Sequence, residues 1–136
     1  MRLCVLDASA WLRLFLGDGP VPASLLEAAT DVEKGKAAFA APELILVEAA
    51  AVVRRKCREG RIRPEEADGI WKDMLYTPLD LLRIQEDINA AFDLSRSTAL
   101  TVYDALYLAA ARRIGATLLT VDQDLHREAA RLGLAP

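Results

Sequence analysis

The chain has 136 residues, which is long enough to bury a substantial core, and it is predicted to form one domain, residues 1–136. Its 53% apolar and 27% charged residues are typical of a soluble globular protein, and it has no internal repeat or low-complexity segment. A net charge of −3 does not indicate nucleic-acid binding, no uncharged apolar run approaches the roughly 18 residues of a membrane span, and the isolated Cys4 and Cys57 predict reduced thiols in a cytoplasmic protein.

Apolar runs that alternate with amphipathic segments predict the order of secondary structure. The run RLCVL, Arg2–Leu6, is rich in strand-forming residues and predicts a buried strand. The next two segments predict helices that end near Gly17 and at Gly35. Pro42 suits the first turn of a long helix that stops at Gly60. The other predicted elements are a weak strand at 37–41, helices at 64–76, 86–97, 101–115 and 122–133, and strands at 79–84 and 116–121.

Strands that alternate with one or two helices favour an α/β fold, with a parallel sheet covered by helices on both faces. Ligand sites in such sheets lie beyond the carboxyl ends of the strands. Asp7 directly follows the first predicted strand, and Asp122 and Asp124 follow the last. Asp104 lies in the first turn of the helix at 101–115. These acids can therefore meet at one edge of the sheet.

Each aspartate also has a purely structural interpretation. Asp7 and Asp122 can each cap the N-terminus of the helix that follows. Thr101 and Asp104 fit a capping box, in which the Asp104 side chain reaches back to the Thr101 amide. Asp124 can be a surface charge near a helix N-terminus. Taken one at a time, the four aspartates do not decide between capping and catalysis.

Glu48 is harder to explain by structure alone. It lies four residues after Leu44 and four before Val52, so its own helix face is apolar. An ionised carboxylate buried alone costs several kcal/mol. Glu48 must therefore be exposed, protonated, paired with a base such as Arg13 or Arg55, or bound to a metal. Exposure is not expected on a helix with apolar residues on all sides.

A divalent cation explains Glu48 and the aspartates together. Carboxylates that converge at one sheet edge repel one another, and a bound cation removes that repulsion. Ligands that are all oxygen suit Mg²⁺ or Mn²⁺. Zinc is disfavoured because His126 is the only histidine and the two cysteines are far apart in the sequence. His126 itself is expected to be a surface residue.

The segment RRKCREGRIR, residues 54–63, contains six basic residues among ten. One interpretation is a solvated helix end, where cations interact favourably with the helix dipole. The other is a patch that contacts RNA phosphates. The candidates for such contacts are Arg54, Arg55, Arg58 and Arg61.

Four segments occur in an order and spacing that resemble a known family. VLDASAWL, APELILVEAA, TVYDALYLAAA and LLTVDQDL resemble the four acidic motifs of PIN-domain ribonucleases, most closely the VapC toxins of type II toxin–antitoxin systems. The resemblance spans nearly the whole chain. YDALYLAAA together with LLTVDQDL is fairly specific, whereas an aspartate after a first strand is weak evidence alone.

The resemblance implies particular roles for the acids. The four catalytic, metal-binding acids of the family fall on Asp7, Glu48, Asp104 and Asp122. Asp124 matches a position that helps to hold metal or water. Ser9 and Thr120 match the small hydroxyl residues beside the family's metal site.

The resemblance also implies the fold, chemistry and partners. The fold is a three-layer PIN-like structure with a parallel sheet of four to five strands and the first strand central. The activity is Mg²⁺- or Mn²⁺-dependent cleavage of single-stranded or looped RNA, in a homodimer that a VapB-like antitoxin inhibits. Without a plausible histidine base, water rather than the ribose 2′-OH is the expected nucleophile, which leaves a 5′-phosphate and a 3′-OH. The chain departs from the family near its end, where a fifth strand around Leu132–Ala135 is short or absent.

Two other classes of protein also place acids at the edge of such a sheet. A haloacid-dehalogenase-like phosphotransferase needs a second acid two residues after the first, where this chain has Ser9. A phospho-receiver domain needs a lysine after a late strand, and none follows ATLLTV. A housekeeping PIN-type RNA-processing nuclease, or a non-catalytic PIN-fold module that binds RNA or protein, is the alternative to a toxin.

Overall fold

The computed structural model describes all 136 residues, with four strands and seven helices. The strands are β1 (Arg2–Leu6), β2 (Ala37–Pro42), β3 (Leu79–Leu82) and β4 (Thr117–Leu119). The helices are α1 (Ala8–Leu16), α2 (Ala23–Glu33), α3 (Leu44–Arg58), α4 (Pro64–Leu75), α5 (Ile88–Ser97), α6 (Val102–Ile114) and α7 (Gln123–Arg131).

The four strands form one parallel sheet in the order β3-β2-β1-β4. β1 is an inner strand, as the resemblance implied. Cys4, Val5 and Leu6 are each 0% exposed, and successive strand residues point to opposite faces of a sheet. Helices therefore cover both faces, and the predicted α/β fold is confirmed. Both cysteines are free thiols; Cys4 is buried and Cys57 is half-buried.

Most helix boundaries fall where glycine and proline predicted them. Gly17 and Gly115 follow α1 and α6 in the left-handed conformation, with φ of 63° and 68°. An added Cβ would strain that backbone, so glycine favours the end of the helix at these positions. Pro64 is the first residue of α4, where its missing N–H is not needed.

Pro42 was predicted to open the third helix, and that prediction is wrong. Pro42 is the last residue of β2 and pairs with Leu82 of β3, while α3 begins at Leu44. The pairing of β2 with β1 stops at Ala40. A proline is tolerated at this strand end because it lacks only one ladder donor there.

The third strand is shorter than the predicted range of 79–84, and the C-terminal residues do not add a strand to the sheet. β3 ends at Leu82, and a 3₁₀ turn at Ile84–Glu86 leads into α5. No fifth strand forms. A single hydrogen bond of 2.8 Å joins the Leu118 amide to the Leu134 carbonyl at the outer edge of β4. No helix of the chain has the length and apolar character required to cross a membrane.

Helix α6 is the central helix of the core. Its residues Ala105–Ala111 are all buried, and it packs on β1, β2 and β4. At its C-terminal end Arg113 donates two hydrogen bonds to the buried carboxylate of Asp87, at 2.7 and 3.0 Å. This pair fixes the start of α5 against α6. Asp104 lies in the first turn of α6, at the end of the helix opposite to Arg113.

Candidate active site

Asp7 is the most buried acid of the predicted site, with 4% of its surface exposed. It lies directly between β1 and α1, because the strand ends at Leu6 and the helix begins at Ala8. Its Oδ1 caps α1 by accepting a hydrogen bond of 2.8 Å from the Ala10 amide. The capping interpretation is therefore correct, but capping uses only part of the carboxylate.

Two hydroxyl groups also donate to Asp7. The Ser9 hydroxyl lies 2.7 Å from Oδ1, and the Thr120 hydroxyl lies 2.5 Å from Oδ2. A carboxylate has about four lone-pair sites, so three accepted bonds leave about one site, on Oδ2. These bonds lower the pKa of Asp7, but burial outweighs them and raises it to about 6.

Thr120 joins Asp7 to Asp122. Its Oγ1 accepts a hydrogen bond of 3.0 Å from the Asp122 amide while its own hydrogen goes to Asp7. Ser9 Oγ accepts from the Val121 amide at 3.1 Å. Asp122 is exposed and caps α7, since its Oδ1 accepts a 2.9 Å bond from the Leu125 amide. The small hydroxyl residues thus tie the end of β4 to the start of α1.

Asp104 lies near enough to the other acids for their charges to affect its pKa. It is half-buried in the first turn of α6, where the Thr101 hydroxyl accepts from its amide at 3.1 Å. The reciprocal bond of a capping box, from the Thr101 amide to the Asp104 side chain, is absent. Burial raises the pKa of Asp104 first, and the nearby charges of Asp122 and Glu48 raise it further. The two charges reach Asp104 from α3 and from the end of β4.

Glu48 has a partner that was not foreseen. It is half-buried on α3, and its Oε1 accepts a hydrogen bond of 2.6 Å from the hydroxyl of Tyr107. As expected, Glu48 is not exposed, although the neighbouring Val47 on α3 is 68% exposed. Neither Arg13 nor Arg55 pairs with Glu48; Arg13 lies near Asp18, and Arg55 near Glu59.

The donor set fits a hard divalent cation in kind. All of the acids offer oxygen; burial is the main cause of the raised pKa of Asp7 and Asp104, and neighbouring carboxylates add to it. The side chains do not form a finished cage: no three acidic, histidine or cysteine residues converge as a complete metal site. Some ligands would therefore act through water, which Mg²⁺ commonly retains.

Comparison with known proteins places this arrangement in a family. The PIN-domain family model matches residues 4–131. The chain belongs to the PIN-domain family. Ribonuclease VapC3 of Pyrobaculum aerophilum is 31% identical to this PIN domain over 123 residues, which are 89% of this chain and 90% of that protein.

Solved structures share the fold. PAE2754 from Pyrobaculum aerophilum matches with a TM-score of 0.69 and 23% identity, over 93% of this chain and 79% of that one. Mycobacterium tuberculosis VapC20, a sarcin-ricin loop cleaving toxin, matches with a TM-score of 0.65 and 17% identity, over 97% of this chain and 96% of that one. The structure of VapBC2 from Rickettsia felis, bound to a DNA fragment from the VapBC2 promoter, matches with a TM-score of 0.64 and 14% identity, over 98% of this chain and 95% of that one. At these identities the likeness concerns the fold.

The remaining predicted residues of this PIN domain make no hydrogen bond or ion pair with the four acids. Asp124 is exposed and pairs with Arg127 at 3.0 Å, although its charge still contributes to the raised pKa of Asp104. Of the four arginine candidates, Arg55 and Arg61 both lie 3.6 Å from Glu59. Arg54 and Arg58 are exposed and form no ion pair.

Two cavities open on the surface, one beside α3 and the other at the end of β4. One is an apolar groove of about 910 Å³ between α3 and α4, whose lining includes Val47, Ala51 and Trp71. The other, of about 360 Å³, adjoins the end of β4 and is lined by residues that include Thr120 and Asp122. The exposed His126 also lines this second cavity, as a surface residue rather than a member of the acid cluster.

Proposed function

We propose that this PIN domain is a Mg²⁺- or Mn²⁺-dependent endoribonuclease that acts in the cytoplasm as the toxin of a toxin–antitoxin pair. The observation that carries the proposal is a set of hydrogen bonds around the acids: Thr120 bonds to both Asp7 and Asp122, and Tyr107, three residues after Asp104 on α6, bonds to Glu48. Four carboxylates that share one sheet edge with no internal cation are the arrangement that a divalent metal stabilises. The likeness to Ribonuclease VapC3 supports RNA as the substrate.

The acids have distinct proposed roles. Asp7, Asp104 and Asp122 hold the cation directly or through water, and Asp124 assists from the rim. When bound, the cation supplies a nucleophilic water near neutral pH and offsets charge on the phosphate. Glu48 binds the metal or orients the attacking water. Attack by water leaves a 5′-phosphate on one fragment and a 3′-OH on the other.

The residues around Asp7 prepare it for this role. Ser9 and Thr120 hold both carboxylate oxygens with short hydrogen bonds, so the carboxylate does not rotate in its buried position. Preorganised groups of this kind need no rearrangement when a ligand binds. The basic residues Arg54 and Arg58, which no carboxylate neutralises, are the proposed guides for the RNA backbone.

The reaction is tested with end-labelled RNA and the chain freed of any inhibitor. Cleavage is expected in Mg²⁺ or Mn²⁺ and is expected to cease in excess EDTA, with 5′-phosphate ends on the products. Asp104→Asn is expected to be inactive, whereas Asp93→Asn, which alters an exposed aspartate on α5, keeps the parent rate. Full activity in EDTA, or products with 2′,3′-cyclic phosphates, would contradict the proposal.

A protein partner completes the proposed role. We propose a homodimer and a VapB-like antitoxin that places an arginine among the acids, because the guanidinium fork pairs bidentately with carboxylates. The VapBC2 structure among the fold neighbours supports an antitoxin. Expression of the chain alone should arrest growth, and co-expression with the adjacent reading frame should relieve the arrest and yield an inactive complex. A harmless active nuclease without such a partner would favour the housekeeping alternative.

A further inference from the structure

The hydroxyl of Tyr107 is a polar group in an otherwise apolar part of α6. Tyr107 is 1% exposed, and it lies three residues after Asp104, on the same face of the helix. A buried tyrosine hydroxyl requires a hydrogen-bond partner. Its partner is Glu48 Oε1, at 2.6 Å, from a residue 59 positions away in the chain. The core helix α6 thus reaches the acid cluster by two side chains rather than one.

The bond leaves the two oxygens of Glu48 in different situations. Oε1 is held by the hydroxyl of Tyr107, and Oε2 makes no hydrogen bond within the chain. No buried side-chain oxygen lacks a partner, so Oε2 reaches solvent. Glu48 therefore has one fixed oxygen and one available oxygen.

We infer that Tyr107 is a positioning residue for Glu48: it holds one carboxylate oxygen so that the other meets the cation. The inference rests on the proposed function, since it assigns how one acid of that site is oriented. Tyr107 does not itself touch RNA, because its side chain is buried. Partners that orient metal ligands from behind typically account for roughly 10- to 100-fold in metal affinity or activity.

Tyr107→Phe removes the hydroxyl and keeps the ring. Mn²⁺ affinity of the inhibitor-free chain, measured by electron paramagnetic resonance titration, is expected to fall roughly 10- to 100-fold. Tyr103→Phe is the matched control, since Tyr103 lies on the same helix but is 59% exposed. It should bind Mn²⁺ as the parent does. Unfolding curves in EDTA establish that each variant is folded.

A double-mutant cycle separates positioning from a general structural role. If Tyr107 acts through Glu48, Tyr107→Phe lowers the Mn²⁺ affinity of the parent but not that of a Glu48→Gln chain. Parent-like affinity in Tyr107→Phe overturns the inference. An equal loss of affinity in both backgrounds also overturns it, because the effect would then bypass Glu48.

A measurement without any core substitution keeps the inference testable if Tyr107→Phe does not fold. The chain has three tyrosines, and the exposed Tyr76 and Tyr103 can be assigned by their phenylalanine variants in a spectrum of ¹³Cζ-labelled tyrosine. The remaining Tyr107 signal is expected to move as Mg²⁺ is added, with the midpoint of metal binding. A Tyr107 signal that stays still while the parent binds Mg²⁺ and cleaves RNA overturns the inference alone. A parent that neither binds metal nor cleaves RNA overturns the proposed function as well.

Discussion

The hydroxyl of Thr120 donates a 2.5 Å hydrogen bond to Oδ2 of Asp7, and so links the end of β4 to the start of α1. The two residues are 113 positions apart in the chain. The same hydroxyl oxygen accepts from the Asp122 amide. A substitution at Thr120 therefore removes a hydrogen bond from Asp7 and another from the Asp122 amide.

Thr120→Val keeps the shape of the side chain and removes the hydroxyl. Asp7 Oδ2 then loses its only donor, and hydrogen bonds to charged groups contribute about 1.5–3 kcal/mol. We expect the free energy of unfolding in EDTA to fall by about 2 kcal/mol in urea titrations. Thr30→Val is the control: the Thr30 hydroxyl donates only to the Leu26 carbonyl on an exposed helix face, so its effect should stay within about 0.5 kcal/mol. Equal stability of the two variants would contradict the role of Thr120.

Asp7→Asn is expected to change how stability depends on pH in the metal-free chain. Burial raises the pKa of Asp7 in the folded chain from 3.8 to about 6. Between these values the folded state holds a proton that the unfolded state has released. This contribution is therefore fully present below pH 3.8 and is lost as pH rises through about 6.

The expected loss for the parent is roughly 3 kcal/mol across that window, since each pKa unit corresponds to about 1.4 kcal/mol. Asn cannot titrate, but its oxygen can still cap α1. Urea titrations in EDTA at several pH values should show that the free energy of unfolding of Asp7→Asn rises relative to that of the parent as pH rises. At pH 7 the variant should be the more stable of the two. A difference between the two chains that does not change with pH would show that the pKa of Asp7 is the same in the folded and unfolded states.

Arg113→Met should destabilise the fold without changing the chemistry of the site. It leaves the buried Asp87 carboxylate without its two hydrogen bonds. Removal of one partner of a buried pair costs about 3–5 kcal/mol, and because the Arg113 side chain is itself partly exposed we expect ~2–3 kcal/mol. Arg112→Met, on an exposed neighbour without an ion pair, is the control. Both variants should keep the parent cleavage rate per folded molecule, and a loss of activity in folded Arg113→Met would connect this end of α6 to the site.

Local signals in the sequence were sufficient for most element boundaries. Gly17 and Gly115 adopt the left-handed conformation that ends a helix, and Pro64 begins one, because each residue acts through its own backbone. Pro42 misled the prediction for the same reason. Its fixed φ suits a helix start and a strand end alike, and only its pairing with Leu82 across the sheet decides between them.

The sequence was sufficient to name the candidate acids but not all of their hydrogen-bond partners. Asp7 and Asp122 act as helix caps and as members of the acid cluster, so the two interpretations were never exclusive. Tyr107 was overlooked because its spacing on α6 marks it as a core residue, and spacing carries no information on where a hydroxyl points. The apolar groove around Val47 was not predicted either, since hydrophobicity alone does not distinguish a buried face from an open groove.

Glu48→Gln tests the acid that the sequence left hardest to explain. Glutamine keeps the shape, and its oxygen can still accept the hydrogen of Tyr107, so the core contact at 2.6 Å is preserved. The substitution removes a negative charge that raises the pKa of Asp104. The metal-free fold should therefore be as stable as the parent or more stable, while cleavage is abolished.

The same variant should respond less to metal. A cation at about ten times its dissociation constant stabilises a native state that binds it by roughly 1.4 kcal/mol. Melting curves in EDTA and in Mg²⁺ should show this gain for the parent and a smaller gain for Glu48→Gln. If Glu48 served the fold alone, the opposite pattern would appear: a less stable metal-free chain, an unchanged response to Mg²⁺, and normal cleavage once folded. Asp68→Asn is the control, since Asp68 is an exposed residue of α4 beside the apolar groove. It should match the parent in metal-free stability, in the response to Mg²⁺ and in cleavage.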